Sequence, residues 1–370
     1  MPIPEQRDLE EARGIIAGWL GEQIAGATDV EVGPLSGPDF TGFSNETLLF
    51  DASWSVDGER VPQRLVLRVE PTQHTVFMEA DFENQYRVLG ALGQHTDVPV
   101  PTVRWLEQDP KYLGAAFFVM DRVDGRAPTD TPPYTLGGWL FEESTPTERR
   151  TLVENGVDAL AAVHAVDWQG LGLDFLSKPQ YGALGFEQQL RYYEAAYEWA
   201  NPDRPPPPVA KAALEWVQAN APSKDPELAL AWGDARINNQ LFDASHEVAA
   251  VVDWEMVTIA DPMMDLGWWL FLDRHFHEGM PAPRLDGFPT REEVVERYEA
   301  TSGRTARDLH FYEVFAGLRF AVVMMRIGKL LVDFELMPAD NDMAENNAVT
   351  RVVADLLDLP SPGTAPEPSW

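Results

Sequence analysis

Apolar positions recur at helical spacing along residues 8–25, where Leu9, Ile15, Ile16, Trp19, Leu20 and Ile24 predict an opening helix. From residue 30 the period shortens to two. Residues 30–35, 46–54 and 64–69 read as strands, with a Gly/Ser/Asp-rich turn at 36–45 and a hairpin turn at Asp57-Gly58. A helix over 75–92 and strands at 103–107 and 115–120 complete a small antiparallel sheet with one crossing helix, and Asp124-Gly125 breaks the pattern. Beyond it the helical period dominates. Helices are expected at 147–166 with Thr147 as N-cap, at 186–200, after the polyproline break 205–208 at 209–220, at 290–301 and at 307–334. Short strands at 228–232, 240–243 and 248–252 interrupt them, and Asp261-Pro262 opens a helix running through Leu272. The tail from Pro360 is Pro/Ser/Gly-rich and reads as frayed. The fold class is therefore α+β in two parts: a small antiparallel-sheet lobe over 1–122 and a larger, mainly helical lobe over 123–370.

Composition narrows the chemistry. The 370 residues exceed what one core usually serves. Cysteine is absent, so thiolate nucleophiles and Cys-based metal sites are excluded. The net charge of −32 disfavours nucleic acid as a partner, because phosphate contacts need a basic face. It suits solubility and would attract a cationic substrate. The N-terminus lacks the basic and apolar regions of a signal peptide. The longest apolar stretch, 315–334, is interrupted by Arg319, Arg326 and Lys329, so it reads as a buried helix and not a membrane span. A cytoplasmic protein with no membrane partner is expected.

The chemistry concentrates between residues 230 and 255. Asp234 is followed five positions later by Asn239, and Asp253 follows the next apolar run. A carboxylate at a strand end can orient a hydroxyl proton, and an amide with a second carboxylate offers the hard oxygen ligands that Mg²⁺ takes. A Gly-Asp turn alone would require neither Asn239 nor Asp253. Arg236, two residues after Asp234, either approaches transferred phosphoryl oxygens or makes a surface ion pair. A metal-dependent hydrolase would call for a denser His or carboxylate cluster, whereas seven His are scattered along the chain.

These residues resemble the catalytic and metal loops of the aminoglycoside phosphotransferase family, small-molecule relatives of the protein kinases. The family pattern of His-Gly-Asp, Asn, Ile-Asp-Trp/Phe-Glu and Asp-Pro-x-x-Asp-Leu appears here as Trp232-Gly233-Asp234, Asn239, Val252-Asp253-Trp254-Glu255 and Asp261-Pro262-Met263-Met264-Asp265-Leu266. The resemblance implies a protein-kinase-like two-lobe fold with ATP and Mg²⁺ as cofactors. It implies Asp234 as catalytic base, Asn239 and Asp253 as metal ligands, and Asp265 as an acceptor for loop amides. Trp232 stands where the family has a loop-supporting His. Upstream, Gly42 to Thr47 resembles the phosphate-covering hairpin, with Ser44 or Asn45 at the phosphates. Arg68 occupies the position of the ATP-pairing Lys, and its partner acid is Asp81, Glu83 or neither, since Gln85 aligns with the usual Glu. Met120, Asp121 and Val123 match the inter-lobe hinge that would meet adenine through backbone groups.

The expected partner is a small-molecule hydroxyl acceptor. Tyr193, Trp254, Glu255 and Trp268 are candidates to meet it, against the competing reading of aromatics at helical spacing as core. Their number suits a larger or more hydrophobic acceptor. His164 reads as a satisfied structural histidine. Arg68 and Gln85 keep open a second reading, a pseudokinase-like binding protein without turnover.

Overall fold

The alternation along residues 46–69 folds as one long hairpin. The computed structural model describes residues 7–37, 45–72, 75–79, 81–222, 227–280 and 282–364. Strands β1 (Thr28–Val32), β2 (Glu46–Val56), β3 (Glu59–Val69), β4 (Val103–Glu107) and β5 (Phe117–Asp121) form an antiparallel sheet in the order β1-β2-β3-β5-β4. β2 and β3 pair without a break from Glu46↔Val69 to Val56↔Glu59. The two residues that close them, Asp57 at φ 50° and Gly58 at φ 83°, are both left-handed, as the twist of a two-residue hairpin requires.

Helix α1 (Leu9–Gln23) is capped by Asp8, whose carboxylate accepts from the Glu10 and Glu11 amides. It buries Ala12, Ile16, Trp19 and Leu20 in a core shared with Phe50, Leu65, Leu67 and Phe117. Trp19 meets Phe117 edge-on at 4.8 Å and donates its indole N–H to Glu107 at 2.8 Å. Helix α2 (Phe82–His95) begins later than its sequence pattern suggests. Asp81 therefore precedes the helix instead of sharing a face with Gln85, and its carbonyl accepts from Asn84 in the first turn. These elements belong to one compact unit, Met1–Gln94 with Pro101–Val123.

The second unit, His95–Val100 with Asp124–Trp370, is mainly helical. Its helices are α3 (Trp139–Glu142), α4 (Pro146–His164), α5 (Phe186–Ala200), α6 (Pro208–Ala219), α7 (Met263–Arg274), α8 (Arg291–Ser302), α9 (Leu309–Asp333) and α10 (Ala348–Leu356). The cap of α4 is Thr145 and not Thr147. Thr145 and Glu148 exchange side-chain and backbone hydrogen bonds, and Pro146 fills the first helical position, where its missing N–H costs nothing. A single π-helical turn, His275–Gly279, extends α7. α7 and α9 approach closely at Gly267, where a Cβ would lie 2.7 Å from the Tyr312 carbonyl carbon. Two small ladders, β6 (Ala229–Ala231) with β9 (Thr258–Ala260) and β7 (Gln240–Phe242) with β8 (Val248–Val251), carry the motif residues on the loops between them. Among the described residues, no helix is long and apolar enough to cross a membrane.

Candidate active site

The loop after β6 turns at Gly233, where φ is +93° and a Cβ would lie 2.1 Å from the Met256 carbonyl oxygen. Only glycine fits there. The amides on either side of that turn are fixed from α7: Asp265 accepts from Trp232 N–H at 2.6 Å and from Gly233 N–H at 3.0 Å. Asp265 is fully buried and also meets His164 Nε2 at 3.2 Å, while His164 Nδ1 lies 2.7 Å from the Tyr298 hydroxyl. His164 is thus placed inside the scaffold of the loop. Trp232 is wholly buried, and its indole N–H is shared between the carbonyls of Val252 and Asp253 at 3.0 and 3.1 Å. The indole ties one motif loop to the other by the kind of hydrogen bond an imidazole N–H would make. Asp253 itself sits at φ +61°, a conformation uncommon outside glycine and held here by its surroundings.

Asp234 projects from this frame with 14% of its side chain exposed, enough for a small molecule to reach it. Its Oδ2 accepts from Asn239 Nδ2 at 2.7 Å and from Arg236 Nε at 3.2 Å. Its Oδ1 accepts from the Trp268 indole at 2.8 Å. Asn239 Nδ2 also reaches the Asp234 carbonyl at 3.1 Å, and the Asn239 carbonyl accepts from Val252 N–H at 2.9 Å. With its nitrogen committed to Asp234, Asn239 has its amide oxygen left to ligate a cation. Asn239 and Asp253 carry the kind of hard oxygen donors that Mg²⁺ takes. Among the described residues no group of three or more His, Cys, Asp or Glu forms a metal cage.

Arg236 is not a loose surface residue. Its Nη1 bonds Asp130 at 2.8 Å, and its side chain is 20% exposed. Burial works against its charge, but Asp130, Asp234 and Asp253 outweigh that and raise its pKa above the ordinary arginine range. Beside it lies a pocket lined by Tyr134, Arg236, Asn238, Asp273, Phe276 and Phe288, among others. Asn238 donates to the carbonyls of Pro128 and Thr129 at 3.3 Å, and its buried Oδ1 has no hydrogen-bond donor. Burial pushes the Asp273 carboxyl up, but His277 and Arg284 outweigh it and the net shift is down.

The remaining candidates divide. Trp254 is buried at 2% exposure, donates to Val251 at 3.0 Å and packs on Trp232, so it belongs to the core and not to an acceptor surface. Tyr193 is likewise buried, against Phe315 and Arg319. Trp268 turns its one polar atom to Asp234 and is 3% exposed. Glu255 is partly exposed in the loop that follows Asp253.

In the sheet unit, Arg68 Nη1 donates to Thr47 at 2.8 Å. Glu83 instead accepts from Gln108 at 2.6 Å, and Gln85 accepts from Asn45 at 3.4 Å. Ser44 lies outside the described residues. Met120 is nearly buried in β5. The Asp121 amide donates to Thr102 and its carboxylate holds Arg104, so that N–H is already engaged within the sheet. Val123 is the first of the three past the strand.

Two contributors had no motif to announce them. Asp130 lies a hundred residues before the loop, and Arg319 sits on α9 with its Nη2 on the Gly233 carbonyl at 2.9 Å. Arg319 left one signal in the sequence, a cation inside an apolar helical run.

The chain is similar to several proteins. A protein of Arabidopsis thaliana named as a probable acyl-CoA dehydrogenase, IBR3, is 28% identical over 76% of this chain and 34% of its own length. Acyl-CoA dehydrogenase family member 11 of Homo sapiens is 28% identical over 64% of this chain and 29% of its length. The chain thus spans about a third of these curated relatives. Among solved structures, a Ralstonia eutropha protein described provisionally as an aminoglycoside phosphotransferase superposes with a TM-score of 0.65, 27% identity, and coverage of 92% of this chain and 98% of its own. A thermostable variant of aminoglycoside phosphotransferase APH(4)-Ia, solved in a ternary complex with AMP-PNP and hygromycin B, shares the fold at a TM-score of 0.53 and 15% identity, over 93% of this chain and 98% of its own. The family described as "Phosphotransferase enzyme family" matches residues 42–312, which takes in β2 to β5, the Asp234 loop, the Asp253 loop and α7, and the chain belongs to that family.

Proposed function

We propose that this chain transfers the γ-phosphoryl group of ATP to a hydroxyl of a small molecule, with Mg²⁺ held at Asn239 and Asp253. The observation that carries the reading is the geometry of Asp234: a partly exposed carboxylate fixed by donors from Asn239, Arg236 and Trp268. An acceptor hydroxyl would donate to that carboxylate and be aimed at phosphorus. As the new O–P bond forms, the bond from γ-phosphorus to the bridging oxygen breaks, ADP leaves, and the hydroxyl proton passes to Asp234. The guanidinium of Arg236, kept charged by its carboxylate neighbours, would face charge developing on the phosphoryl oxygens. Mg²⁺, when bound, would neutralise phosphate charge. Arg68 and Asn45 would contribute phosphate contacts, and backbone at Val123 an adenine contact. Most of the rate would come from positioning and fixed charge.

For the acceptor, one feature favours an apolar body bearing a hydroxyl. The curated relatives carry acyl-CoA dehydrogenase names while this chain matches only part of each. A hydroxylated acyl thioester is therefore the first acceptor class to test, beside aminoglycosides and macrolides.

The test begins with thermal shift by ATP, GTP and ADP, each with and without Mg²⁺. A ligand that binds only the folded chain raises its melting temperature. The expected result is a Mg²⁺-dependent shift that Asp253→Ala removes, followed by ADP release with one acceptor class that Asp234→Asn abolishes. Binding without any transfer would leave a nucleotide-binding protein in place of an enzyme.

A further inference from the structure

We infer that Trp268, clamped by Arg319, is the residue that sets the plane of the Asp234 carboxylate. The catalytic consequence rests on the phosphotransferase reading above, whereas the geometry does not. A carboxylate rotates about a broad, roughly two-fold torsion. Asn239 and Arg236 both bind Oδ2 and both come from Asp234's own loop, so together they leave that rotation soft. The indole of Trp268 binds the other oxygen and comes from α7, a separate element. An indole N–H only donates, so Trp268 cannot take the acceptor's proton. It holds Oδ1 in place while that oxygen keeps a lone pair for the acceptor hydroxyl.

The indole needs its own restraint, and Arg319 supplies it. The guanidinium carbon lies 4.5 Å from the Trp268 ring centroid and 5.3 Å from that of Tyr193. The same guanidinium donates to the carbonyl of Gly233, the residue immediately before Asp234. One side chain thus grips both the backbone that carries Asp234 and the ring that holds its carboxylate. Phe320 covers Trp268 further, at 5.7 Å between ring centroids. Buried to 3% exposure beside Arg319 and Phe320, Trp268 is not an acceptor contact.

The placement is a costly one. Arg319 is 1% exposed, and its Nε and Nη1 have no hydrogen-bond partner. A cation so buried is unfavourable unless fully satisfied, and an apolar side chain would pack α9 at lower cost. A role limited to packing does not account for it. A role in holding the Gly233–Asp234 turn against Trp268 does.

The test uses the full chain labelled with ¹⁵N and reads its indole N–H signals by NMR, with Trp268→Phe identifying the Trp268 signal among the 12 tryptophans. Should Trp268→Phe not fold, Trp268→Tyr makes the same assignment. Asp234→Asn is expected to move the Trp268 signal upfield as the charged hydrogen bond is lost, and Arg319→Met to move it as the ring is released. The second readout is hydrolysis of Mg–ATP with water as acceptor. Trp268→Phe is expected to lower kcat by roughly tenfold to a hundredfold, the cost of a misplaced reacting group, with KM for Mg–ATP unchanged within about twofold. A Trp268 signal that ignores Asp234→Asn would overturn the inference. So would a folded Trp268→Phe that hydrolyses Mg–ATP like wild type, since the bond would then be structural only. A wild-type chain that hydrolyses no Mg–ATP and releases no ADP with any of the acceptor classes above, while the Trp268 signal still follows Asp234, would overturn the phosphotransferase reading and not the geometry.

Discussion

Asp234 and His275 are ionisable side chains held in opposite surroundings. Asp234 is partly exposed and surrounded by donors. Asp234→Asn keeps the shape but removes the proton acceptor, and kcat for any acceptor should fall by about 10²- to 10⁴-fold while ADP still raises the melting temperature. Loss of both together would point to misfolding. His275 is buried, with Nδ1 lacking a partner. Burial, reinforced by the charges of Arg236 and Arg351, lowers its pKa from 6.5 to about 3. The sign follows from proton binding. Between about pH 6.5 and 3 the unfolded chain binds a proton at this residue and the folded chain does not, so stability falls as pH falls through that window. At pH 5 the loss from this one residue should be about 2 kcal/mol relative to pH 7. Urea midpoints at the two pH values should show that loss shrinking in His275→Phe. An unchanged pH dependence would mean the imidazole titrates normally.

At the scale of elements, the N-terminus of α7 organises the site. Asp265 fixes two consecutive amides of the Gly233–Asp234 turn and meets His164, all without exposure. Asp265→Asn offers one acceptor and an NH₂ group to that set of donors. It should cost about 2–3 kcal/mol, read as a lower urea midpoint, and should also lower kcat because the turn that carries Asp234 loosens. Equal stability with lost activity would instead separate the turn from the scaffold. Asp265's hold on the loop amides was legible through the family resemblance, whose motif runs in one continuous stretch with very short strands. The supports that come from far away were not legible. Trp268 was a candidate to meet the acceptor, against the reading of one more apolar helix position, and neither reading put its N–H on Asp234; Asp130 has no motif at all. Trp254 shows the opposite error: its place after Asp253 suggested an acceptor contact, but an indole whose N–H is satisfied by a nearby carbonyl is better placed in the core. One boundary difference and one helix the sequence reading missed had signals of their own. Thr145-Pro146 with Glu148 is a capping box, and Asn347 with Thr350 makes another at the start of α10.

For the whole molecule, the dominant physical fact is the net charge of −32. Mg–ATP is itself a net anion, so its encounter with this chain is opposed by the long-range field even if Arg68, Arg236 and Mg²⁺ make the final contacts favourable. Salt separates the two ranges. The Debye length is about 30 Å at 0.01 M and about 8 Å at 0.15 M, so added salt erases repulsion from the distant surface while a partly buried guanidinium such as Arg236 is screened far less. The KM for Mg–ATP should therefore fall as NaCl is raised over that range, with kcat nearly constant, because only the approach is affected. A coenzyme A thioester acceptor, anionic through its phosphates, should show the same sign, and a polycationic aminoglycoside the reverse. Steady-state kinetics at a series of NaCl concentrations, holding free Mg²⁺ fixed, measures this directly. If KM for Mg–ATP rises with salt instead, the field at the nucleotide site is positive over long range, and the surface carboxylates must be arranged away from the route by which nucleotide arrives.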